Sequence, residues 1–95
     1  MAAYVVFIRE KTLDATELAT YAQKVPLAAA GHDLTRLALY GRQEVLEGPP
    51  MEGVVILQFP SLDAAKKWYD SPAYTEARQH RFKGADYRVV VVEGV

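Results

Sequence analysis

Three short runs in this chain are apolar in both alternating phases: AYVVFIR from Ala3 to Arg9, GVVILQF from Gly53 to Phe59, and DYRVVVVE from Asp86 to Glu93 with its four consecutive valines. Side chains alternate between the two faces of a strand, so a run apolar in both phases describes a strand covered on both sides. A fourth run, Leu34 to Glu47, is half polar, with Leu37, Leu39 and Val45 in one phase and Arg36, Tyr40, Arg42 and Glu44 in the other. That pattern fits an edge strand, and Gly41 in its middle predicts a bulge that bends it. Any fold must therefore bury both faces of most of its sheet.

Two helical stretches separate these runs. Asp14 is placed to cap a helix, with Glu17 at capping-box spacing, and Leu18, Tyr21, Ala22 and Val25 follow at i, i+3, i+4, i+7 on one apolar face. Pro26 predicts a kink, or a break and restart, before Ala28-Ala29-Ala30, and Gly31 is the expected stop. Gly48-Pro49-Pro50 marks a turn. Beyond Pro60, Ser61 can cap a second helix whose stripe is Leu62, Ala65, Trp68 and Tyr69, with Lys66 and Lys67 turned outward. Ser71 and Pro72 then end that helix and begin another, as cap and first helical residue.

Strand, helix, strand, strand, helix, strand with right-handed crossovers predicts an α+β fold, the ferredoxin-like βαββαβ plait with a four-stranded antiparallel sheet. The 95 residues read as a single domain, 1–95. Helices in this plait cover one sheet face only, and the chain has no spare element for the other. The economical cover is a second copy, so two sheets packed face to face in a homodimer are expected, curved enough to leave a pocket.

The net charge of -1 and a pI near 6.1 provide no general attraction to nucleic acid. No apolar run approaches the ~20 residues of a membrane span. MAAYVVFIREK has no basic region ahead of its apolar run, so a cytoplasmic protein is expected. Cysteine is absent, which removes disulfides and thiolate ligands. His32 and His80 stand alone, so no metal site is predicted, and the scattered glycines form no phosphate loop; no cofactor is expected. Ser61 and Ser71 read as caps rather than nucleophiles. Glu44 and Glu47, three apart on a strand, point to opposite faces and form no carboxylate pair.

The stretch FPSLDAAKKWYDSPAYTEARQHR, Phe59 to Arg81, gathers aromatic rings and cations. Tyr74, Ala77, Arg78 and Arg81 lie at i, i+3, i+4, i+7, which carries arginine on the same side as packed residues. An inward arginine is either a carboxylate receptor or a stem-packed cation near helix carbonyls. Trp68, Tyr69 and Tyr74 are core by spacing, and their polar atoms also suit the wall of an amphipathic pocket.

This run, preceded by EVLEG and followed by VVVVEG, resembles the family called domain of unknown function 1330 across nearly the whole chain. Its most specific part is the WY-x-SP-x-Y segment at Trp68 to Tyr74, with Arg81 further on. The resemblance implies a dimeric α+β barrel of ferredoxin-like subunits with no established activity. The loop Gly31 to Thr35 departs from the family pattern in having one glycine and an acid. The leading expectation is a homodimer binding a small anionic or aromatic molecule between helices and sheet. Trp68, Tyr69 and Tyr74 would form the wall, Arg81 would meet the anion, and Glu47 or His32 would carry protons. The alternatives are a cofactor-free enzyme in the monooxygenase or isomerase style, and a structural dimer without a ligand.

Overall fold

A computed structural model describes residues 1–95. Strands β1 (Ala3–Thr12), β2 (Thr35–Leu39), β3 (Gly53–Phe59) and β4 (Ala85–Glu93) form one sheet in the order β2-β3-β1-β4, with every pairing antiparallel. Helices α1 (Ala15–Ala28), α2 (Leu62–Tyr69) and α3 (Pro72–Gly84) pack over one face. The topology is the ferredoxin-like plait, with its second crossover helix divided at Ser71 and Pro72.

Burial follows the strand alternation. On the covered face Val5 and Phe7 of β1 and Val55, Leu57 and Phe59 of β3 are buried with Ala65 and Trp68 of α2 and Tyr74 and Ala77 of α3. The opposite face presents Tyr4, Val6 and Ile8, then Val54 and Ile56, then Val90 and Val92, none of them buried. The chain measures 31 × 31 × 17 Å, a two-layer slab whose second sheet face is open and apolar.

The helix ends show how local sequence sets the layout. Asp14 accepts from the amides of Thr16 and Glu17 at 3.0 and 3.3 Å, so the cap forms as the sequence predicts. The capping box does not close. Glu17 instead lies 2.6 Å from His80 Nδ1 on α3, and the Asp14 amide donates to the Gly84 carbonyl at 2.9 Å. The Ser71 hydroxyl donates to the Trp68 carbonyl at 2.7 Å and accepts from the Tyr74 amide at 3.4 Å. One side chain therefore finishes α2 and starts α3.

Two local expectations are corrected. Helix α1 runs through Pro26 to Ala28 without a break, because a proline in the last turn removes a single ladder bond and little helix remains to be disturbed. Strand β2 ends at Leu39 rather than Glu47, since Tyr40 takes a positive φ of 52° that turns the chain out of the sheet. Its bulge falls between Arg36 and Ala38, not at Gly41. This extra residue sets Arg36 opposite Leu57 and Leu39 opposite Val55, so both face the helices.

Close approach of α1 and α3 depends on Gly84. A Cβ there would stand 2.8 Å from the Leu18 side chain and 3.0 Å from the Leu18 backbone nitrogen. Gly84→Ala is expected to cost about 1–3 kcal/mol through overpacking, outweighing its helix-propensity gain. A urea midpoint equal to that of the parent chain would contradict this.

Candidate functional site

A cavity of about 280 Å³ lies between α1, β2 and the covered sheet face, and 13 of its 16 lining residues are hydrophobic. Each element supplies its part through its own periodicity. In β1 the phase that buries Val5 and Phe7 also carries Arg9. Helix α1 contributes Leu18, Tyr21 and Val25 from its apolar stripe, while the β2 bulge turns Arg36 and Leu39 inward. Trp68 of α2 and Tyr87 of β4 complete the walls. The register places Arg9 beside Gly53 at one end of the cavity and Arg36 beside Leu57 toward the other.

The hydroxyls around this space are arranged in pairs. Tyr21 and Tyr74 hydroxyls are 2.7 Å apart, and those of Tyr40 and Tyr87 are 2.5 Å apart. Burial pushes Tyr21, Tyr40 and Tyr74 above the ordinary tyrosine range, with the Arg81 charge opposing it for Tyr21 and Tyr74. All three are neutral hydroxyls near pH 7. The Tyr40 ring fits because position 53 is glycine, where a Cβ would come within 2.6 Å of the ring.

Three arginines stand around the cavity, Arg9 and Arg36 in its lining and Arg81 behind it, each in a different state. Arg9 Nε lies 3.3 Å from Glu52 Oε1, and its guanidinium sits 4.8 Å from the Tyr40 ring centre. Arg36 is exposed and takes part in none of the ion pairs. Arg81 is 3% exposed and meets no acid: it donates to the Tyr69 hydroxyl at 3.4 Å and lies 5.0, 5.1 and 5.7 Å from the rings of Phe82, Tyr87 and Phe7.

Glu52 is clasped to the end of β1. It accepts from the Thr12 amide at 3.1 Å and from the Thr12 hydroxyl, and these bonds, aided by Arg9, hold its carboxyl below the usual carboxylate range. A carboxyl depressed in the folded state stabilises above its unfolded value, and that contribution is lost as pH falls through the folded value. Glu52→Gln is therefore expected to flatten the acid limb of melting temperature against pH. An unchanged acid limb would show that the clasp does not contribute.

Of the residues singled out from the sequence, Trp68 lines the cavity. Tyr74 is fully buried behind it, with ring centres 4.1 Å apart, and Arg81 lies behind Phe7 and Tyr87. Tyr69 faces a second cavity of about 240 Å³ between α2 and β4, with the Arg78 guanidinium 4.3 Å from its ring centre. His32 borders a shallow groove with Lys66, Lys67 and Ser71, and Glu47 is exposed in the segment between β2 and β3; neither lines the main cavity. Among the lining residues not anticipated as site residues, those with a polar or charged group are Arg9, Tyr21, Arg36, Tyr40 and Tyr87. Tyr21 and Arg9 were readable from the phase of their elements, whereas Arg36 was hidden by the bulge.

The model of a family described as a domain of unknown function, DUF1330, matches residues 2–95. No curated protein matches the chain. Among solved structures, a protein of unknown function from Rhodopseudomonas palustris is 18% identical, with 99% of this chain and 82% of that one covered and a TM-score of 0.77. A dimeric protein of unknown function with a ferredoxin-like fold from Bacteroides fragilis is 12% identical, with 98% and 96% covered and a TM-score of 0.66. A cofactor-independent oxygenase from Streptomyces nogalater is 9% identical, with 99% and 92% covered and a TM-score of 0.58. At these identities the likeness is one of fold.

Proposed function

The chain belongs to the DUF1330 family, and on that premise we propose that it acts as a homodimer binding a small molecule with an apolar or aromatic body and an anionic group, held between α1 and the sheet. The observation that carries the ligand is the cavity itself, an apolar space of about 280 Å³ with an uncommitted arginine, Arg36, in its wall. Small-molecule sites combine this kind of apolar lining with a few polar groups that fix orientation. In this reading Trp68 and Phe7 form the wall and Tyr74 and Tyr69 brace the indole. Arg36 meets the anion, while Arg81 adds positive potential from behind the Tyr21 and Tyr74 pair.

The dimer half of the proposal rests on the open apolar sheet face and the 17 Å thickness of the slab. It draws support from the dimeric structural relative from Bacteroides fragilis. Val90 and Val92 are 51% and 54% exposed within one chain, a costly arrangement in water unless another surface covers them.

The test is a thermal-shift and Trp68 fluorescence titration with aromatic carboxylates and phenols. Ligands that bind only the native state raise its apparent stability. Arg36→Ala is expected to weaken binding by roughly tenfold, the worth of one charge-assisted hydrogen bond, while leaving the urea midpoint within error. If no compound shifts the melting temperature, a dimer without a ligand becomes the better reading. A second reading, a cofactor-free oxygenase, takes its support from the fold shared with the oxygenase from Streptomyces nogalater. It requires oxygen uptake when a binding phenol is added.

A further inference from the structure

We infer that the cavity holds its ligand as an anion, an acidic phenol, enol or carboxylate whose proton goes to water, because its walls supply positive charge and hydrogen-bond donors but no side chain that can remove a proton. This rests on the binding reading above.

Strand β1 presents Arg9, β2 presents Arg36, α1 presents Tyr21, and Tyr40 and Tyr87 close the end beside Gly53. From α3, Arg81 and Tyr74 stand behind the lining. No aspartate, glutamate, histidine or lysine is among the 16 lining residues. Glu52, paired with the lining residue Arg9, is held by Thr12 at the end of β1, and Glu17 of α1 is engaged by His80 of α3; neither acid lines the cavity.

A tyrosine can act as a base only through its phenolate. Burial raises the hydroxyls of Tyr21, Tyr40 and Tyr74, so the phenolate form is negligible near neutral pH and the groups remain donors or neutral acceptors. Donors are also in surplus. Arg81 Nε and the indole nitrogen of Trp68 are buried with no acceptor in the chain. A buried donor without a partner is unfavourable, so an interior with unsatisfied N–H groups and no carboxylate disfavours further neutral donors and favours negative charge. The bound form is therefore the anion, its proton given up to water rather than to a side chain. The ionised form binds more tightly by the factor that separates the ligand's bound and free ionisation constants.

The experiment compares two probes of nearly the same shape, 4-nitrophenol, which ionises near neutral pH, and 4-nitroanisole, which cannot ionise. Binding of each is followed by quenching of Trp68, and ionisation of bound 4-nitrophenol by its visible absorption. The phenolate is expected to bind roughly tenfold more tightly than the ether, with ionisation of the bound phenol shifted down by about one pH unit. Arg36→Ala should abolish most of that shift and Arg36→Lys should restore much of it. Equal affinity for the ether, or an upward shift of the bound phenol, overturns the inference while leaving the cavity as a binding site. Failure of both probes to quench Trp68 overturns the inference together with the binding reading.

Discussion

Trp68→Ala is expected to lower the free energy of unfolding by about 3–5 kcal/mol. The indole is 1% exposed and joins both layers of the fold: its ring centre is 4.1 Å from Tyr74, 5.3 Å from Phe59, 6.3 Å from Phe7 and 6.4 Å from Tyr69. Aromatic pairs at such distances contribute beyond the area they bury. Removing the ring would enlarge the existing cavity rather than let the walls collapse, since β1, β3 and two helices fix its surroundings. A small domain has only about 5–15 kcal/mol in hand, so this one truncation takes a large share. The Ser71 bond to the Trp68 carbonyl involves backbone and survives the change, which leaves packing as the cause. Equilibrium urea unfolding reads the effect. A loss below about 1 kcal/mol would show that the indole is not central to the packing.

Ile56→Glu is expected to convert the proposed dimer into a folded monomer. Ile56 pairs with Val6 on one side and Ala38 on the other, and Val6 in turn pairs with Val90, which puts residue 56 within the open apolar face. A carboxylate buried there without a partner costs about 3–5 kcal/mol, enough to raise the dissociation constant by two to four orders of magnitude. The substitution points away from the helix-covered core, so unfolding of the protomer should change little. Sedimentation at micromolar concentration decides the matter. A monomeric parent chain would remove the dimer proposal, and a dimeric Ile56→Glu would place the interface elsewhere. Lys67→Glu, on the exposed side of α2, is the matched control and should leave the mass unchanged.

The plait was legible because its signals are local and redundant. Doubly apolar runs marked β1, β3 and β4, and Ser71 with Pro72 marked the helix junction; all agree with the folded chain. The site was less legible, for a reason located at a few residues. A single extra residue in β2 reverses the side on which Arg36 lies, and nothing in the composition of Thr35 to Leu39 announces it. Tyr40 and Tyr87 meet across 47 positions of sequence through a positive φ and a glycine at 53, a contact that only tertiary geometry creates. Glu17 illustrates the same competition, since its spacing invites a capping box and the His80 ring of α3, 2.6 Å away, claims it instead.

The sheet's two borders are unlike each other. Strand β2 is five residues long and bulged, which makes it a poor template for a further strand, whereas β4 runs for nine residues with Val89 to Val92 uninterrupted. Long, flat, valine-rich borders invite chains from other molecules to add on, the first step toward fibrils. Asp86, Arg88 and Glu93 punctuate that border with charge. One side of the protein is thus guarded against aggregation by shape and the other by electrostatics. Concentrated salt weakens only the second guard, so self-assembly promoted by high ionic strength should begin at β4.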